Sequence, residues 1–114
     1  MTTNHAASLK LPAPIASYFA SETTDPQAVA RCFADDAVVL DERHEHRGRA
    51  AIAAWNRAGV AKYAFSTEPL SADTAGARTT VTAKVSDNFP GSRAQLLFAF
   101  TIAGHLITRL EIGS

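Results

Sequence analysis

A single cysteine, Cys32, stands in 114 residues. No intrachain disulfide can hold the fold, and the pattern fits a reducing compartment such as the cytoplasm. No charge of one sign dominates: eleven basic side chains balance eleven acidic ones. That balance argues against an electrostatic footprint for nucleic acid or an anionic membrane. No run approaches the roughly 20 apolar residues of a spanning helix, and Met1 to Lys10 has no apolar core of signal-peptide length. A Gly-rich phosphate loop, a nucleophile elbow and a zinc signature are all missing, so nothing points to an organic cofactor or a metal. What remains is a 46% apolar, 19% charged chain, the composition of a soluble globular domain. At this length folding buries roughly two-thirds of the chain's surface, enough for a core without staples.

The punctuation divides the chain into a polar, flexible tail at 1–11 and one domain at 12–114. Pro12 and Pro14 prime a helix, whose Ile15, Tyr18 and Phe19 share a face. Asp25 and Pro26 restart a second helix carrying Val29, Cys32 and Phe33. Val38 to Asp41 reads as a short strand behind an acidic turn, and Glu42 to Arg47 as a polar connection or hairpin arm. Arg49 to Ala58 predicts a third helix, closed by Gly59. Alternating patterns then predict four strands. They lie around Tyr63–Glu68, where Pro69 interrupts, then Val81–Val85, Leu96–Ile102 and Leu106–Ile112. Pro90-Gly91 marks one of the turns.

Helices first and antiparallel strands after them mean α+β. Apolar residues on both strand faces, such as Leu97 beside Phe98, suggest that the outer face is covered, most simply by a second copy in a homodimer.

The stretch Phe33-Ala34-Asp35-Asp36-Ala37-Val38-Val39-Leu40-Asp41, followed by Arg47-Gly48-Arg49-Ala50-Ala51-Ile52-Ala53-Ala54-Trp55, resembles the nuclear transport factor 2-like superfamily, and within it the SnoaL-like proteins related to ketosteroid isomerases and polyketide cyclases. The resemblance spans roughly residues 12 to 112. It implies a cystatin-like cone, a curved and mostly antiparallel sheet wrapped around three N-terminal helices. It also implies a small-molecule isomerase, cyclase or lyase acting without a cofactor on an apolar or carbonyl-containing molecule. The alternative on the same fold is a non-catalytic ligand-binding or dimerisation module. The isomerase base aligns onto Asp41 and the helix-one oxyanion donor onto Tyr18. The second oxyanion donor falls on Leu96, and an aliphatic side chain cannot donate a hydrogen bond.

A carboxylate partly desolvated at an apolar wall holds a proton more readily and can shuttle it, which makes Asp41 the candidate base. The plain alternative is a strand-end aspartate paired with Arg47 or Arg49. Tyr18 either donates into a pocket or is a core tyrosine. His44 and His46 lie on one side of an extended segment, a workable metal pair with Asp41 or Glu42. No further ligand supports the pair, so no metal is assigned; the plain reading is two solvated loop histidines, and the functional one is His44 as a proton-transfer partner of Asp41. Trp55, Tyr63, Phe33, Val39, Ile52, Phe65, Leu96, Phe98 and Phe100 are the expected apolar lining. Arg47 could hold a substrate anion or pair with Glu42 or Glu45.

Overall fold

A computed structural model describes residues 10–63, 66–86 and 93–113. The tail before residue 10, Phe65, the Pro90-Gly91 turn and the side chain of Tyr63 lie outside what it describes.

Helix α1 spans Ala13–Ser21 and α2 spans Pro26–Arg31. Asp25 caps α2, its Oδ1 accepting from the amides of Gln27 (3.1 Å) and Ala28 (3.2 Å). Strand β1 (Phe33–Asp41) and β2 (His44–Arg47) form a hairpin, followed by helix α3 (Arg49–Tyr63). Strands β3 (Ser66–Ala75), β4 (Arg78–Ser86), β5 (Arg93–Ala103) and β6 (Leu106–Gly113) complete one six-stranded sheet in the order β2-β1-β6-β5-β4-β3. Only β1 and β6 run parallel; the other neighbours are antiparallel. The fold is the expected α+β cone, a curved sheet with three helices.

Three boundaries differ from the sequence expectation. The acidic turn is strand: β1 begins at Phe33 and absorbs Asp35 and Asp36 as a bulge beside β6. Arg49 ties that bulge down, its Nε donating to the Phe33 carbonyl (2.8 Å) and its Nη1 meeting Asp35 at 2.9 Å. Helix α3 runs through Gly59 to Tyr63. A mid-helix glycine costs about 1 kcal/mol against alanine. Strand β3 runs through Pro69 because it lies at the sheet edge and bulges between Pro69 and Ser71.

The core joins Ile15 and Tyr18 of α1 and Val29 and Cys32 of α2 to Phe33, Val39, Ile52, Val81, Phe100, Ile107 and Leu110. Tyr18 and Phe19 interlock edge-on with Phe33, Phe98 and Phe100 at centroid distances of 5.1 to 6.1 Å. Each such contact adds about 0.5–1.5 kcal/mol beyond area burial. This aromatic layer fills the closed end of the cone. Among the described residues no helix is long and apolar enough to cross a membrane.

On the outer face, Leu97 is the one large hydrophobic side chain left exposed among the described residues, at 43%. The strand register surrounds it with Thr80, Thr82, Thr101, Arg109 and Glu111, and Arg109 pairs with Glu111 at 2.7 Å.

Candidate functional site

The wide end of the cone holds a cavity of about 560 Å³, within the range of roughly 300–1,000 Å³ usual for small-molecule sites. Small residues form part of its lining: Ala58 and Gly59 on α3 and Ala94 on β5. Leu96 and Phe98 of β5, Val85 of β4 and Ile112 of β6 form an apolar wall. They share a face because Ala94 pairs with Val85 and Phe98 with Ile112 across the ladder.

Asp41 ends β1 on this cavity. Antiparallel partners lie on the same face, and Asp41 pairs with His44 and Val39 with His46. Both imidazoles therefore come to one side, as their spacing predicts, and the structure makes it the cavity side, where both are part of the lining. The link between the strands is Glu42-Arg43, with φ of +52° and +66°. That left-handed pair is the geometry of a tight two-residue hairpin turn, usually built from Asn-Gly. Non-glycine residues held there cost about 1–3 kcal/mol each, so the cavity rim stores strain.

Asp41 pairs with neither Arg47 nor Arg49. Arg47 is held by Glu45 (2.7 Å) and Arg49 by Asp35. The partner of Asp41 is Trp55, one turn of α3 beyond Ile52, whose indole Nε1 donates to Oδ2 at 2.9 Å. The His46 ring leans against the same indole, 5.9 Å between centroids. One carboxylate oxygen is thus anchored, and Oδ1 makes no other hydrogen bond among the described residues. Among those residues, no three His, Cys, Asp or Glu side chains gather into a metal site.

Tyr18 is fully buried beneath the cavity and donates to Glu22 Oε2 at 3.2 Å. Burial, and next the neighbouring Glu22 charge, push the Tyr18 hydroxyl well above its ordinary pKa, so it remains a neutral donor. Its hydrogen is given to Glu22, and both side chains line the cavity.

Glu22 is the site residue that the sequence reading missed. It is 5% exposed, lines the cavity, and burial raises its carboxyl to about 7. Hydrogen bonding toward Thr67 and from Tyr18 offsets part of that rise, although the Thr67 hydroxyl completes no well-formed bond. The available signal was spacing, since Glu22 follows Tyr18 by four residues and shares its helical face. Asn56, 3% exposed, joins the group by donating from Nδ2 to the Glu22 carbonyl at 2.9 Å.

Of the expected lining, Trp55, Leu96 and Phe98 face the cavity. Phe33, Val39, Ile52 and Phe100 do not; all four are completely buried in the core behind it. Periodicity marks the inward face of an element but not how far along that face the packing ends. Cys32 is buried, and that burial raises its thiol pKa, which leaves it unreactive.

The profile of the SnoaL-like domain family matches residues 15–110. A proposed polyketide cyclase from Sinorhizobium meliloti is 41% identical, with a TM-score of 0.85 over 90% of this chain and 94% of that one. A Catenulispora acidiphila protein of ketosteroid isomerase-like fold, crystallised with trimethylamine, is 21% identical (TM-score 0.82, 92% and 87% covered). The epoxide hydrolase/cyclase-like enzyme SalBIII, which acts in pyran ring formation in salinomycin, is 18% identical (TM-score 0.76, 89% and 87% covered). No curated protein matches. At under 25% identity the last two structures show shared fold alone, but the family profile and the first relative cover most of the chain, and the chain belongs to the SnoaL-like family.

Proposed function

We propose that the protein is a cofactor-independent isomerase, cyclase or lyase that moves a proton on a mostly apolar, carbonyl-containing molecule. The observation that carries this reading is Asp41: a carboxylate with one oxygen fixed by Trp55 and the other without a hydrogen bond among the described residues, set against an apolar wall in a cavity of substrate size. Anchoring by a neutral donor orients the carboxylate without cancelling its charge, unlike a salt bridge to arginine. Asp41 takes a proton from carbon next to the carbonyl, with His44 at the rim exchanging protons with solvent. The 41% identical polyketide cyclase relative supports the same class of chemistry.

Deuterium exchange tests this without knowledge of the natural substrate. Incubated in D2O with cyclic ketones such as 2-tetralone, the protein is expected to speed label uptake at the α-carbon at least tenfold over buffer. NMR or mass spectrometry reads the uptake. No acceleration across a panel of ketones would favour the non-catalytic ligand-binding module.

We also propose that two copies pair through the outer sheet face around Leu97, whose exposure that face does not otherwise explain. Leu97→Asp should convert a dimer into a monomer in analytical ultracentrifugation. A parent protein that is already monomeric at high concentration would remove this proposal.

A further inference from the structure

The cavity has a polar floor that the role of Asp41 does not use. Glu22 from α1, Asn56 from α3 and Thr67 from β3 converge there, all part of the lining. Two of their atoms are unsatisfied. Asn56 Oδ1 and Thr67 Oγ1 are buried with no hydrogen-bond partner among the described residues. The orientation of the Asn56 amide is fixed by chemistry. The atom 2.9 Å from the Glu22 carbonyl must be the donor nitrogen, since a carbonyl oxygen only accepts. Oδ1 is therefore a true acceptor waiting for a donor, and an orphan of this kind costs about 1–3 kcal/mol if nothing fills it. Tyr18 occupies Glu22 Oε2, and the Thr67 hydroxyl stands beside the same carboxyl without completing a bond.

We propose that this floor is an oxygen-binding subsite for an enolisable carbonyl and its enol. In it Glu22 is a second catalytic residue, giving its carboxyl proton to the substrate oxygen, and Asn56 Oδ1 accepts the hydrogen of the resulting hydroxyl. The proposal rests on the reading of Asp41 as base. As Asp41 takes the C–H proton, the C–H electron pair becomes the C=C bond and the carbonyl π pair takes the Glu22 proton. Asp41 ends protonated, Glu22 ionised and the substrate an enol. Return of the Asp41 proton to carbon and the enol proton to Glu22 restores both groups, so no other reagent is needed.

The ionisable groups around this subsite are few. Tyr18 stands on α1, Asp41 and Glu42 at the end of β1, and His44 and His46 on β2. Among the described residues, strands β3 to β6 contribute uncharged side chains only: Thr67, Val85, Ala94, Leu96, Phe98 and Ile112. None of these holds Glu22 in its ionised form.

The test uses 2-naphthol, a stable aromatic enol, against naphthalene, which has the same apolar body without the hydroxyl. The expected result is at least about tenfold tighter binding of 2-naphthol at pH 6, lost in Glu22→Gln and Asn56→Leu and retained in Asp41→Asn. Carbon-13 NMR of the Glu22 carboxyl in the unmodified protein gives a measurement independent of any variant. With 2-tetralone bound, its titration midpoint should rise by about one pH unit for each tenfold preference of the ketone for the protonated form. Equal affinity for 2-naphthol and naphthalene, or a midpoint that stays or falls when the ketone binds, overturns the subsite. If naphthol binds as expected but ketones do not exchange, the floor stands and the base assignment to Asp41 falls.

Discussion

Asp41→Asn is expected to fold like the parent protein and to lose about 10²–10⁴-fold in exchange rate, the usual contribution of a positioned general base. Asparagine keeps the shape of the side chain and an oxygen for the Trp55 indole, so the 2.9 Å bond survives in geometry. It has no lone pair basic enough to take a proton from carbon. Asp41 is only partly buried and makes no salt bridge among the described residues. Its replacement leaves no uncompensated charge behind, and the stability change should stay within about 0.5 kcal/mol. The loss should appear in kcat with little change in KM, since the apolar wall that binds the substrate is untouched. Trp55 is the only tryptophan in the chain and lies beside the substituted atom, so its fluorescence reports the folded site directly. A variant with unchanged emission and undiminished exchange would remove Asp41 from the mechanism.

Asp41 was legible in the sequence because its position depends on local pattern. A β-branched run that stops at one carboxylate, followed by a capped helix, places that carboxylate at a strand end whatever the rest of the chain does. That His44 and His46 share a side was legible for the same reason, since alternate residues of a strand share a face, but whether that side met the cavity or solvent was not. What the pattern could not supply was the partner. The Trp55–Asp41 bond joins positions fourteen residues apart through the packing of α3 on β1, and either arginine was an equally good candidate by spacing. Glu22 shows the limit more sharply. At the end of an amphipathic helix it reads as a solvated C-terminal residue. Only the approach of α3 and β3, from 34 and 45 positions farther along the chain, buries it. The phenylalanines failed in the opposite sense. Phe33 and Phe100 point inward as expected, but into the packed end of the cone. At the Leu96 position the cavity wall is aliphatic, and Glu22, which follows α1, brings a carboxyl to the lining beside Asp41 and Glu42.

Because Glu22 is buried and its carboxyl lifted to about 7, the protein's stability should fall with rising pH where most proteins are flat. Unfolded, the same carboxyl ionises near 4.5. Between these values the folded state binds a proton that the unfolded state has released. Stability is therefore complete below about 4.5 and declines through the window up to 7. Above 7 both states are ionised and the penalty stays constant. The full difference corresponds to about 3 kcal/mol, a sizeable share of the roughly 5–15 kcal/mol that holds a small domain together. Glu22→Gln carries no proton to lose and can still accept from Tyr18. Its urea midpoint should lie above the parent's at pH 9. At pH 5 the two should converge, or the parent should lead, since its protonated carboxyl fits the site and the larger amide group must repack. The histidines are common to both proteins and cancel in the difference. Parallel pH profiles for parent and variant between pH 5 and 8 would show that Glu22 ionises at its ordinary value in the fold, and the acid role drawn from its burial would fail with it.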